Sequence, residues 1–178
     1  MAFTLEDILL VLLHQQPSTA FDLQSRHQRI VGSRGAVSLP RVLAAVNRLR
    51  RTGDLAEDRS PPVSTRLANR TMLSVTEAGR RRQKARLTTV DANSTPDDLV
   101  LQGLLALAAD RSDFDEFTYQ AQLLLRLRQG QLEALHASQV EAARVAYERE
   151  ILRALVVWLH QLPAQRADDQ ARGPGVSR

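Results

Sequence analysis

The chain has 178 residues, 43% of them hydrophobic, enough for one ordinary domain or two small ones with a real buried core. It contains no cysteine, which excludes disulfides, thiolate metal sites and a cysteine nucleophile. The formal charge of +4 is uneven: residues 1–90 carry 15 Arg/Lys against 7 Asp/Glu, a net of +8, and residues 91–178 carry 9 against 13, a net of −4.

A basic half joined to an acidic half suggests that only the first half meets a polyanion. The alternative is an ordinary solvated surface in an arginine-rich chain, since 23 of the 24 basic residues are Arg. The longest apolar run, LVLQGLLALAA (residues 99–109), is short for a bilayer span and is interrupted by Gln102. MAFTLEDILL places two acids before its apolar run and lacks a basic leader segment, so it does not read as a signal peptide. These features together predict a cytosolic protein.

In chain order, Thr4 with Glu6 and Asp7 predicts a helix over residues 4–15, with Leu5, Ile8, Leu9, Leu12 and Leu13 inward. Gln16-Pro17-Ser18 breaks it, because proline disfavours helical geometry in the residue before it. Ser18 is the expected cap of a second helix, 19–31, anchored by Phe21, Leu23 and Ile30. After the loop GSRGAVS (32–38), RVLAAVNRLRR forms a third helix that stops at Gly53. DLAEDR and RTMLSVT, short and partly alternating, flank a loop with Pro61 and Pro62 at its tip and read as a β-hairpin. Thr76 then caps the basic helix TEAGRRRQKARL. Three helices, a hairpin and a helix within residues 1–90 make a winged helix-turn-helix domain.

DANSTPDD (91–98) marks a boundary, and Thr95-Pro96-Asp97-Asp98 is a strong helix start. A helix over 97–109 follows. A second begins near Ser112 and runs through Phe117, Leu124, Leu127 and Leu135, and a third covers 138–162 and stops at Pro163. The two long helices are apolar on more than one stripe, so a partner should cover them. Residues 95–163 therefore form an all-helical, coiled-coil-like dimerisation domain. Residues 164–178, polar and containing Gly and Pro, form a disordered tail. The fold class expected is mainly α.

On the third helix, Val42, Val46 and Leu49 face the core, and Arg41, Ala44, Ala45 and Arg48 are expected to face outward by their three- and four-residue spacing. A helix in a major groove needs small residues where it approaches base edges and long donors beside them. Arginine matches the two acceptors of guanine, and an alanine methyl packs on thymine. Asn47, Arg50, Arg51 and Thr52 suit phosphates at the rim, and Arg59, Arg66 and Arg70 of the wing suit a phosphate or a narrow minor groove. A plain solvated helix surface is the alternative. The arginines around TEAGRRRQKARL cannot all face DNA, and some are expected to pair with acids of the second half.

ILLVLLHQQPSTAFDL, VLAAVNRLRRTGDL and LSVTEAGRRR together resemble the PadR family of transcriptional regulators. Ile8 to Leu13 are similar to the family's Ile-Leu-x-Leu-Leu first helix, and Ala20-Phe21-Asp22-Leu23 to its second-helix start. Val46, Arg48, Leu49 and Gly53 match its third-helix end, and Val75-Thr76-Glu77-Ala78-Gly79 its exit from the wing. The match covers residues 5–87, and Trp158-Leu159 is similar to the end of the longer PadR subgroup, whose helical domain closes a dimer. The chain departs where the family's third-helix tyrosine falls at Leu43, and where its wing tyrosine falls at Met72 or Leu73.

The resemblance implies a homodimeric regulator of repressor type acting on double-stranded DNA, in some members answering to a small aromatic or drug-like effector at the dimer interface. Trp158, Phe114, Phe117 and Tyr119 are the candidate lining of such a site. The alternative is that they pack the dimer core. His14, His27, His136 and His160 have no metal-binding spacing, and the paired acids read as helix starts, so no metal, cofactor or catalytic group is expected. Two rival readings remain: a winged-helix module that docks an acidic protein, and a small-molecule binder whose DNA binding has weakened.

Overall fold

The structure, a computed structural model, describes residues 3–32, 35–58, 71–134 and 138–172. Element order is α1 (Leu5–Gln15), α2 (Ala20–Val31), α3 (Leu39–Arg51), β1 (Leu55–Asp58), β2 (Met72–Val75), α4 (Glu77–Thr88), α5 (Pro96–Leu107), α6 (Arg111–Glu133) and α7 (Gln139–Arg172). The first six elements are a winged helix-turn-helix domain. The remaining three are helical.

Helix α1 is buried nearly all round: Ile8 to Leu13 are all in the core. It is the central rod of the domain, packed on α2, α3, α4 and β2. Thr4 and Asp7 close a reciprocal capping box at its start. A second capping box starts α2, but its cap is Thr19 with Asp22, not Ser18. Ser18 is buried and has a different task. Its N–H donates to the Leu73 carbonyl at 3.2 Å and its carbonyl accepts from Leu73 at 3.1 Å, adding a third rung beside β2. A single bridging residue has no period to read, so pattern alone could not show it. Phe21 is also displaced from its expected role: it is 56% exposed, and Leu23 and His27 carry the buried stripe of α2.

Strands β1 and β2 pair antiparallel, with Leu55 opposite Val75 and Asp58 opposite Met72. Gly79 lies where α4 crosses the turn after α3, and a Cβ there would stand 2.3 Å from the Asp54 carbonyl oxygen. The glycine of the Thr-Glu-Ala-Gly exit is thus a close-packing residue.

Helix α5 has a face in each of two cores. Leu105 and Ala109, just beyond its end, join the winged-helix core, while Leu99 and Ala106 join the core of α6 and α7. Gln102, which interrupts the apolar run, is buried and donates through Nε2 to the carbonyls of Leu87 at 2.8 Å and Thr89 at 3.1 Å. It satisfies the last carbonyls of α4 and ties the two halves together. Helix α7 continues through Pro163 to Arg172, beyond the expected stop. Proline costs one helical hydrogen bond but its φ is helical. Leu159 and Leu162, both buried, pin the turn before it, and the Ala, Gln and Arg that follow favour helix. Residues 173–178 of the expected tail lie outside the described residues, as does Leu135.

Candidate nucleic-acid interface

Helix α3 begins at Ser38, with Pro40 in its first turn, no acid there and no side-chain cap. It ends on three arginines and Gly53, whose φ of +77° lets the chain reverse into β1. The Asp54 N–H closes the turn on the Leu49 carbonyl at 2.9 Å. Gln24 Nε2 donates to the Val37 carbonyl at 2.9 Å and holds the loop that presents α3.

The buried stripe of α3 is Val42, Ala45, Val46 and Leu49. Ala45 is 0% exposed, which corrects the expectation that both alanines face outward. At about 100° per residue it lies at the edge of the buried stripe, about 40° from Leu49 on the wheel, and there its methyl meets the protein core instead of a base. Arg41, Ala44, Asn47, Arg48 and Arg51 are exposed and share the outer face with Leu43, itself 45% exposed.

These side chains are not equally available. Arg48 Nε donates to the Glu6 carboxylate of α1. Arg50 pairs with Glu57 of β1 at 2.7 Å. The Thr52 hydroxyl is directed inward to the Leu49 carbonyl at 3.0 Å and to Asp54 at 2.6 Å, closing the end of its own helix. Arg41 and Arg51 make no ion pair among the described residues. Of the expected reading and positioning arginines on α3, only these two are unspent. Neither Glu6 nor Glu57 was legible as a partner, because both lie across tertiary contacts. The wing residues Arg59, Arg66 and Arg70 lie outside the described residues.

The basic helix α4 is largely consumed by structure. Arg82 bridges Asp7 at 3.2 Å and Asp54 at 2.9 Å, and Arg86 reaches Asp7 at 3.3 Å while stacking 4.7 Å over the Phe3 ring. Burial alone would lower the Arg82 pKa, but the hydrogen bonds and charges of Asp54 and Asp7 outweigh it and hold the guanidinium above its usual value. Lys84 pairs with the buried Asp113 of α6 at 3.4 Å, joining α4 to the acidic half, while Arg82 and Arg86 both reach Asp7 in their own half. Arg80 and Arg81 share Glu77.

The aromatic candidates do not form one cleft. Phe114 and Phe117 are buried in the helical core. Trp158 is half-buried against Gly103, where a Cβ would come within 2.5 Å of its ring and 3.2 Å of Phe117. Tyr119 is 63% exposed. Phe114, Phe117 and Trp158 thus pack in the helical core of a single chain. Among the described residues no group of three or more His, Asp or Glu is placed to hold a metal ion, and no helix is long and apolar enough to cross a membrane.

Fold and outer face together define a winged helix-turn-helix protein with an appended helical domain. No family model and no curated protein matches the chain. Among solved structures it is similar to PadR of Bacillus subtilis in complex with operator DNA, at 13% identity over 93% of this chain and 97% of that one, with a TM-score of 0.44. It is also similar to the same protein with p-coumaric acid, at 13% identity over 92% and 96%, TM-score 0.41. A PadR-like transcriptional regulator from Bacillus cereus matches at 16% identity over 91% and 99%, TM-score 0.39.

Proposed function

We propose that the chain is a PadR-type, sequence-specific DNA-binding regulator, acting as a homodimeric repressor on a pseudo-palindromic operator and responding to a small effector. The observation that carries this is the outer face of α3, where Arg41, Ala44, Asn47 and Arg51 project together. Arg41 is the reader, and Arg51 and the wing arginines are positioners. Arg48 joins them when it leaves Glu6. Tyr147, Leu123, Leu127 and Val157, exposed on α6 and α7, support a second copy as the partner of the helical domain.

Selection of bound duplexes from a random pool at moderate salt tests this reading. The expected result is a site with two-fold symmetry and affinity that falls steeply with salt. Retention without sequence preference would sink it. The exposed Leu43 on the same face favours a protein-docking module as the second reading, and that module would show no salt-dependent duplex binding.

A further inference from the structure

We propose that the cleft between the end of α1 and the flank of α2 is an oxyanion site, built by Arg26 and Arg29 to take a phosphate group. The cleft measures about 450 Å3 and is lined by Leu12, Gln15, Gln16, Arg26, Arg29 and Ile30. Leu12 is buried and Ile30 half-buried, so the floor is apolar, and no acid lines it among the described residues. The volume leaves room beside a phosphate for a small ester group.

Arg26 is already set in place. Its Nη1 donates to Ser18 Oγ at 2.9 Å and its Nη2 to Gln15 Oε1. Ser18 is itself fixed by its two hydrogen bonds to Leu73. A guanidinium held in this way has little freedom left to lose when an anion arrives. Arg29 follows three residues on, and its side chain makes no ion pair or hydrogen bond among the described residues. Burial, and after it the like charge of Arg29, hold Arg26 below its ordinary pKa, with Asp22 opposing. Asp22, however, is committed to the Thr19 capping box at the start of α2. Two guanidiniums that stay charged in each other's field, over an apolar floor, leave a positive charge that the fold does not answer. A phosphomonoester, with about two negative charges and three acceptor oxygens, answers both.

The cleft is separate from the outer face of α3. Gln24, which holds the loop before α3, lies about 200° from Arg26 on the α2 wheel at about 100° per residue. Arg26 and Arg29 therefore stand on the flank of α2 turned away from α3. Two sources supply the same chemistry there: a free phosphate compound, or the backbone of a duplex that runs past this flank. The second source rests on the regulator reading. The first does not.

Calorimetric titration of the full chain with inorganic pyrophosphate, at low salt and without DNA, tests the free source. Duplex titration over a range of salt tests the other. Saturable binding of pyrophosphate at one site per chain is expected. Arg29→Gln, at an exposed position, should weaken it by about tenfold or more. Arg26→Lys, which keeps the charge but loses the fork, should weaken it severalfold. Arg81→Gln, a control on the exposed side of α4 and outside the cleft, should leave it unchanged. If the free chain binds no pyrophosphate, Arg29→Gln must instead lower the duplex salt slope by about one unit, the loss of one phosphate contact. That result assigns the cleft to the duplex backbone. Failure of both effects overturns the proposal. So does equal weakening by Arg29→Gln and Arg81→Gln, which would describe a diffuse basic surface. Pyrophosphate bound as expected by a chain that selects no duplex keeps the site and sinks the regulator reading alone.

Discussion

Arg41 and Arg48 share a face of α3 but differ in state, and that difference predicts their behaviour. Arg41→Ala should cost roughly 1–3 kcal/mol of operator affinity and relax preference at one base pair, measured against a set of single-base variants. Arg51→Ala should weaken all duplexes alike and lower the salt slope by about one unit. Glu6 holds Arg48 in an ion pair, so on the proposed reading Glu6→Gln should free the guanidinium and raise duplex affinity. A duplex titration in which Glu6→Gln binds no better than the unaltered chain would show that Arg48 does not reach DNA.

His27 makes a separate case at this scale. It is buried on α2, its Nδ1 has no partner among the described residues, and burial lowers its pKa. The folded state thus binds fewer protons than the unfolded chain, whose histidine titrates near 6.5. Stability from this group is fully present above that value and is lost as pH falls through the depressed folded pKa. Thermal melts should show a lower midpoint at pH 5 than at pH 7.5, and His27→Leu should remove part of that difference. Identical pH profiles for the two proteins would contradict the assignment.

At the scale of elements, α4 is the keystone of the winged domain, with Arg82 and Arg86 tied to buried acids of the fold. It crosses the α3–β1 turn so closely that Gly79→Ala must push against the Asp54 carbonyl. Overpacking against backbone costs about 1–3 kcal/mol, which denaturant unfolding would register as a lower midpoint at unchanged slope. Arg82→Met should destabilise as well, since it leaves the buried Asp7 and Asp54 with fewer donors. Duplex binding measured under conditions where the variant stays folded should be little changed. A loss confined to DNA affinity would instead place Arg82 in the interface.

Helix α5 shows how an interruption in a pattern acquires meaning. Gln102 reads as a flaw in an apolar run, yet it caps α4 from within the core. Gly103, one residue on, makes room for Trp158. Gly103→Val should expel the indole and red-shift its emission, because the ring would move toward water.

For the whole molecule, the proposal of a two-fold dimer sets a distance. Two copies of α3 should read half-sites about 34 Å apart or a multiple of it. Sedimentation at micromolar concentration should give a dimer, and Leu127→Glu, on the exposed face of α6, should shift it toward monomer. A strictly monomeric protein that binds a palindromic site at full affinity would contradict that arrangement.

Element order was legible along the chain. Capping residues, Pro17, Gly53 and the change of period at residue 54 are local signals, and local signals do not depend on what packs nearby. The outer face of α3 was legible only in part. Val42, Val46 and Leu49 set the direction of the core, but the width of the buried arc, and so the fate of Ala45, depends on how deeply α3 settles onto its neighbours. Which arginines remain available was not legible at all. Arg48 meets Glu6 and Arg82 meets Asp7 across separations of 42 and 75 residues, and a one-dimensional pattern carries no information about such partners. Sequence by itself determined the helices, the hairpin, the charge imbalance and the existence of a basic helix face, because each follows from neighbouring residues. Tertiary structure alone decided which charges were spent inside the fold, since an ion pair forms only where folding brings distant side chains within reach.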